Sequence, residues 1–283
     1  MHVISCSQTL KLAESMCKGT GSQLHSVEKR RFPDGEMYIR VDGDLSGKDV
    51  LVMGNTNTDE GLLEIVFVLD AVKEQKPASI TALVPYFGYA RQHMAYHPGE
   101  SITARVVMKQ ISHDVNRVVT VNIHDTSSFK FAESQCEDFH AFKDIAEHFK
   151  DKDIDLVMAP DDGAYKLAKE VADVLGCKSN FMNKKRVNST TVKYDMDHVD
   201  AKGLNVLLVD DIISTGGTIL ASTDIIRASG ASNIYVSAIH GLFINAADKK
   251  IREKCDELSV TNTLASQYSN IDISGSLSKY LQM

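Results

Sequence analysis

The chain has 283 residues, room for two domains of ordinary size or one large one, and its 43% hydrophobic and 24% charged residues are those of a globular protein. A formal charge of −7 excludes general nucleic-acid binding by the whole surface, so any site for a polyanion must be assembled locally. No apolar run approaches the roughly 20 residues that span a bilayer. No signal peptide is expected at the start, and five scattered cysteines without a CxxC pair suit reduced thiols in the cytoplasm rather than disulfides or zinc.

In chain order, residues 3–5 read as a strand and residues 8–18 as an amphipathic helix ended by Gly19 and Gly21. Residues 27–41 read as a half-exposed strand pair, with Pro33-Asp34-Gly35 as the turn and Met37-Tyr38-Ile39-Arg40-Val41 as the alternating second arm. A turn by itself also accounts for those residues. Strands follow at 50–53, 80–84 and 118–123, with helices at 61–74 and 100–111. The strand at 80–84 ends in Pro85-Tyr86-Phe87-Gly88-Tyr89-Ala90-Arg91-Gln92, at the place where open α/β sheets bind ligands. Arg91 suits a phosphate or a stacked base, although the tyrosines equally suit a plain surface. The strand at 118–123 runs into His124-Asp125, and a histidine at a strand end is more often a satisfied surface group than a metal ligand.

A helix over 137–150 is expected to carry the chain into a second half. There a strand at 154–159 ends in Pro160-Asp161-Asp162-Gly163-Ala164, a helix occupies 165–175, and Lys184, Lys185 and Arg186 stand at a strand end. A solvated basic patch is the bland account of those three cations, while the polar stretch 188–202 has the length of a lid.

The densest signal lies between Val206 and Thr218. A short β-branched run at 206–209 reads as a strand buried on both faces, followed by Asp210 and Asp211, the turn Ser214-Thr215-Gly216-Gly217-Thr218 and a helical pattern over 219–226. The amides opening that helix have no intrahelical partner. With the hydroxyls of Ser214, Thr215 and Thr218 they make a cradle for a phosphate dianion. Two carboxylates beside it would repel a bare phosphate, so the ligand must also offer donors or bring a cation. A sugar phosphate meets both needs.

Strands at 234–239 and 258–260, a helix at 246–254 and a last helix at 274–281 complete the chain. A faint repeat runs through it. Val50-Leu51-Val52-Met53-Gly54-Asn55-Thr56-Asn57-Thr58, then a helix and a strand, mirrors Val206 to Ser214 with its own helix and strand, but the first copy lacks both acids and the Gly-Gly pair. Two similar halves are inferred, the second holding the sugar phosphate and the first another ligand such as a nucleotide. Strands alternating with helices predict a parallel sheet in each.

The run from 206 to 218 resembles the phosphoribosyl-diphosphate loop of type I phosphoribosyltransferases and their relatives, the ribose-phosphate pyrophosphokinases. The segment from Pro85 to Gln92 is nearly a copy of one that pyrophosphokinases have and transferases lack, and the likeness spans residues 32–263 with the motifs in family order. It implies an α/β protein of two phosphoribosyltransferase-like domains, 1–140 and 141–283, each a mainly parallel sheet flanked by helices. It implies ATP binding by Arg91 and Gln92, and by Phe32, Asp34 and Glu36 reaching a neighbouring subunit's nucleotide in a homo-oligomer. Ribose 5-phosphate falls to Asp210, Asp211, Ser214, Thr215, Gly216, Gly217 and Thr218, catalysis to Lys184 and Arg186, and Mg²⁺ to His124 and Asp161. The implied reaction moves the β,γ-diphosphate of ATP to C1 of ribose 5-phosphate, with no nucleic-acid or membrane partner.

Two features depart from the family. Asn122 stands where an Asp-x-His pattern has its aspartate, with Asp125 the candidate to supply the missing charge, and residues 126–134 lack the usual aromatic pair. Two rival readings remain. A phosphoribosyltransferase leaves the 32–36 and 85–92 segments without a role. A non-catalytic regulatory paralogue suits the departures but not the retained loop, Lys184 and Arg186.

Overall fold

Strands and helices alternate along the chain, and every strand of the two large sheets runs parallel to its neighbours. The computed structural model describes residues 1–182 and 200–283, together with the strand backbone of 184–186 and 192–194. The chain divides into two compact units, Met1–His140 with Thr263–Ala265 and Ser274–Met283, and Ala141–Asn262 with Ser266–Ile273.

The first unit contains β1 (His2–Ser5), β2 (Gln23–His25), β3 (Val27–Arg31), β4 (Met37–Val41), β5 (Asp49–Met53), β6 (Ser79–Val84), β7 (Arg117–Val121) and β8 (Gln135–Phe139), with α1 (Leu10–Thr20), α2 (Asp59–Glu74) and α3 (Thr103–Ser112). Six strands form one sheet in the order β2-β1-β5-β6-β7-β8, while β3 and β4 make a separate antiparallel ribbon. Val50 and Val52 of β5 and Ile80, Ala82 and Val84 of β6 are buried together with Ile65, Val68 and Val72 of α2. These apolar runs, covered on both faces, are why the strands read without alternation. Helix α2 starts where Thr58 accepts a hydrogen bond from the Gly61 amide at 3.0 Å, with Asp59 and Glu60 at the positive end of the helix dipole.

The second unit contains α4 (Phe142–Phe149), β9 (Leu156–Ala159), α5 (Tyr165–Leu175), β10 (Lys178–Phe181), β11 (Lys184–Arg186), β12 (Val192–Tyr194), β13 (Asn205–Ile213), α6 (Gly217–Ala228), β14 (Asn233–Gly241), α7 (Ala247–Arg252) and β15 (Glu257–Val260). Its sheet order is β10-β9-β13-β14-β15, with β11 and β12 as an antiparallel ribbon. The two orders match strand for strand, β2-β1-β5-β6-β7 against β10-β9-β13-β14-β15, and each unit inserts its ribbon at the same point of the chain. The repeat is therefore much fuller in topology than in sequence.

Several boundaries differ from the sequence reading. The helix expected over 137–150 is instead β8 followed by the shorter α4. Glu137 and Asp138 are poor strand formers, but β8 pairs along β7 and Asp138 Oδ1 accepts from Thr120 Oγ1 at 2.6 Å and from the Ile123 amide at 3.0 Å. Tertiary pairing overrides the local preference. Strand β7 stops at Val121 because Asn122 takes φ 43°, a left-handed conformation that asparagine tolerates. The three cations expected at a strand end lie on ribbon strand β11, one element beyond the end of β10. Most of the expected lid over 188–202, namely residues 188–191 and 195–199, lies outside the described residues. All five thiols are free, and among the described residues no helix is long and apolar enough to cross a membrane.

The last helix, α8 (Ser274–Leu281), belongs to the first unit although the sequence reading placed it with the second half. It packs on α1, and the Tyr280 hydroxyl donates to Glu137 Oε2 at 2.8 Å, an oxygen also held by Arg117 at 2.6 Å. Leu277 is fully buried. Leu277→Ala should cost about 2–5 kcal/mol of stability, and amide exchange should accelerate along α1 and α8. Acceleration confined to α4–α7 would contradict this assignment.

Candidate active site

In the second unit the parallel direction brings the ends of β9 and β13 to one edge, where Leu208 pairs with Met158. Asp161 follows β9 by two residues and so comes beside Asp210. Asp210 and Asp211 are half-buried within β13, which runs on through Ile212 and Ile213 beyond the strand end expected at 209, and Asp210 Oδ1 accepts from the Asp211 amide at 2.9 Å. Burial pushes the Asp210 carboxyl well above the usual carboxylate range; the charge of Asp211 adds to this, and Asp161 contributes further. The acids are held against one another by the backbone.

The turn after them is shaped by Gly216. It caps α6 at φ 75°, and a Cβ there would stand 3.0 Å from Ala247 Cβ and 3.1 Å from Ile251 Cδ1. Only glycine combines that backbone with such a close approach of α7. The first intrahelical bond runs from Leu220 N to Gly216 O at 2.8 Å, and no side chain caps the helix. The amides before Leu220 are therefore open to a ligand, as are the hydroxyls of Ser214, Thr215 and Thr218, which make no hydrogen bond among the described residues. Gly217 opens the helix itself.

In the first unit the corresponding edge carries the other predicted residues. Arg91 and Gln92 follow β6; Arg91 is exposed, and Gln92 Oε1 accepts from the Thr103 hydroxyl. The Tyr89 hydroxyl donates to Asp59, which pushes the phenol's pKa up. His124 is exposed beyond β7. Asp125 is fully engaged: Oδ1 accepts from the Ser127 amide at 2.8 Å and Oδ2 meets His93 Nε2 at 3.1 Å. Burial raises this carboxyl, but the Ser127 bonds and the neighbouring His93 and His124 outweigh burial and hold it below its usual value.

Phe32, Asp34 and Glu36 are exposed at the tip of the β3–β4 ribbon. Strand β3 of the ribbon is pinned to α2 by side chains that carry no role in the sequence analysis. Lys29 Nζ lies 2.7 Å from Glu64 and 3.0 Å from Glu60, Arg31 lies 3.2 Å from Glu60, and Glu64 also accepts from the Ser7 amide and hydroxyl. The signal was present, since Glu64 interrupts the buried stripe of α2 beside Ile65 and Val68. His93 carried no such signal. The side chains of Lys184 and Arg186 lie outside the described residues.

Among the described residues no three His, Cys, Asp or Glu side chains are arranged to hold a metal ion by themselves. The donor set nevertheless suits Mg²⁺, which takes one or two carboxylates and completes its shell with water and substrate oxygens.

Sheet order and turn place the second unit in the phosphoribosyltransferase class of α/β domains. A family model described as a phosphoribosyl transferase domain matches residues 139–273, and one described as the N-terminal domain of ribose phosphate pyrophosphokinase matches residues 1–114. Two curated proteins named ribose-phosphate pyrophosphokinase are similar over nearly their whole length. That of Thermoplasma acidophilum is 42% identical over 96% of both chains, and that of Thermoplasma volcanium 38% identical over 100% of this chain and 99% of the relative. The crystal structure of phosphoribosylpyrophosphate synthetase from Mycobacterium smegmatis superposes with a TM-score of 0.85, at 27% identity over 99% of this chain and 97% of that one. The chain belongs to the ribose-phosphate pyrophosphokinase family.

The strained acids make a prediction about pH. A carboxyl whose folded value is raised contributes stability that is complete below the unfolded value, about pH 3.9, and lost as pH rises through the folded value. Asp210→Asn removes the charge and hence that loss. Urea unfolding of ligand-free protein should show little difference between the two forms near pH 4 and a growing advantage for the variant toward neutral pH. Parallel stability curves would refute the strain.

Proposed function

We propose that the protein transfers the β,γ-diphosphate of ATP to ribose 5-phosphate, releasing AMP and phosphoribosyl diphosphate. The C1 hydroxyl oxygen attacks the β-phosphorus and releases its proton to solvent, and the bond from that phosphorus to the oxygen bridging to the α-phosphate breaks, leaving that oxygen on AMP. The observation that carries this reading is a contrast between units of one topology. The second keeps an open helix start beside paired acids, while the first has lost that turn and carries the Arg91 segment instead.

In this reading the amides of Gly217 and Thr218, the backbone at Gly216, and the hydroxyls of Ser214, Thr215 and Thr218 hold the 5-phosphate, while Asp210 and Asp211 accept from the ribose hydroxyls. Arg91 and Gln92 bind the nucleotide. Lys184 and Arg186 meet the diphosphate as charge shifts, acting mostly in the transition state. His124 of the first unit and Asp161 of the second would each offer Mg²⁺ a ligand beside substrate oxygens, and the ion would supply neutralisation of phosphate charge. No general base is assigned, because positioning and charge neutralisation carry such a transfer. The exposed tip of the β3–β4 ribbon supports Phe32, Asp34 and Glu36 reaching the nucleotide of a second copy in a homo-oligomer. The free thiols support a cytoplasmic setting.

A coupled assay for AMP formed from ATP and ribose 5-phosphate tests the reading. Asp211→Asn should weaken ribose 5-phosphate use tenfold or more, since a charge-assisted hydrogen bond contributes about 1.5–3 kcal/mol. The double change of Lys184 and Arg186 to Ala should lower turnover far more than affinity. Consumption of phosphoribosyl diphosphate with a base, and no AMP from ATP, would make the protein a phosphoribosyltransferase.

Asn122 gives a second test. Both oxygens of Asp125 are engaged, and the nearby Asp138 is turned to Thr120 and the Ile123 amide, so Asn122 is the neutral position where an aspartate would bring charge to the cation. Asn122→Asp should lower the Mg²⁺ concentration giving half-maximal rate, with the fold kept because both residue types accept left-handed backbone. A shift on Asp125→Asn alone would assign the charge to Asp125. No shift in either variant would remove residues 122–125 from the metal site.

A further inference from the structure

Residues 54–59 of the first unit stand where the second unit has its acids and hydroxyl-glycine turn, yet they face their own chain. Asn55 and Thr56 are buried, 1% and 0% exposed. Asn55 Oδ1 accepts from the Tyr86 amide at 2.8 Å, and its Nδ2 donates to Thr263 O at 2.8 Å. The Thr56 amide donates to Tyr86 O at 3.2 Å, and Thr56 Oγ1 accepts from the Gly88 amide at 2.7 Å. One residue beyond Gly88, the Tyr89 hydroxyl reaches Asp59. The backbones approach so closely that a Cβ on Gly88 would stand 2.1 Å from Thr56 O. Tyr89 is held at φ 65°, a conformation that persists in a tyrosine only where the surroundings over-determine it. Beyond this grip come the buried Ala90, then Arg91 and Gln92, whose amide donates back to Tyr89 O at 3.0 Å.

We propose that the first unit's counterpart of the ribose-phosphate turn has become a template for the nucleotide segment, with Asn55 and Thr56 as positioning residues that aim Arg91 and Gln92. This rests on the reading that Arg91 and Gln92 meet ATP. The loss of acids and glycines from the first copy is then a change of work. A turn that would present amides and hydroxyls to a ligand presents them to the loop that binds one. Positioning of this kind acts on ATP and leaves ribose 5-phosphate untouched, because the ribose-phosphate turn belongs to the other unit.

The test is the AMP-forming assay with each substrate varied separately, alongside thermal unfolding, on Thr56→Val, Thr56→Ser, Tyr89→Phe and Arg91→Ala. Thr56→Val keeps the shape but leaves the Gly88 amide without its acceptor. It should raise the ATP Michaelis constant about tenfold and leave that of ribose 5-phosphate within about twofold. Thr56→Ser, which retains the oxygen, should restore the wild-type ATP constant. A Thr56→Val protein in which both constants move together, or in which only the melting temperature falls, overturns the proposal. Should that variant fail to fold, Tyr89→Phe decides: a raised ATP constant at a near-normal melting temperature supports the template, and an unchanged one overturns it. Arg91→Ala separates the levels. If it leaves the ATP constant unchanged, the nucleotide reading fails and the template with it. If it raises that constant while Thr56→Val does not, the template alone fails.

Discussion

The parallel direction of the strands is the constraint on which the remaining structure depends. Parallel neighbours cannot be joined by a hairpin, so each return requires a longer crossover, in most cases a helix, and each sheet sends all its carboxyl ends to one edge. Residues remote in sequence become neighbours there without any side chain seeking another. Asp161 meets Asp210 because β9 and β13 are adjacent, and Asn55 meets Tyr86 because β5 and β6 are. The helices after the strands then present unpaired amides at the same edge, which makes it the natural place for anions.

That edge is electrostatically unsettled in the second unit. Asp210 and Asp211 lie in contact, half-buried, with Asp161 close by, and burial favours a proton on Asp210. In the proposed function, sugar hydroxyls or a cation would replace that proton and relieve the repulsion, which would tie ligand binding to the acid strain. Substitutions that calm the acids should stabilise the empty protein while weakening its function, the usual relation between a strained site and stability.

The two units show how one topology serves two ends. Strand order and the place of the ribbon are the same in both. The difference is concentrated at the turn after the central strand. In the second unit that turn is open at Gly216, where α7 leaves no room for a side chain. In the first it is closed by hydrogen bonds that Asn55, Thr56 and Asp59 accept from the segment preceding Arg91. A ribbon at the same place in each unit carries exposed Phe32, Asp34 and Glu36 in one and the Lys184–Arg186 strand in the other.

By itself the sequence determined whatever depends on near neighbours. The apolar runs of β5, β6, β13 and β14, the Pro-Asp-Gly turn and the run from Asp210 to Thr218 are all legible, because period and turn chemistry are local. The parallel sheets followed from alternation alone. Only the tertiary structure decided the rest. Strand β8 contradicts the local preference of Glu137 and Asp138 and exists through its pairing with β7. Helix α8 joins the first unit because Leu277 and Tyr280 find their partners there. Asp125 is engaged by His93, far earlier in the chain, and Asn55 and Thr56 by a loop one crossover away. Such partners are chosen by the path of the backbone in space, and a one-dimensional pattern holds no term for the distance between two strand ends.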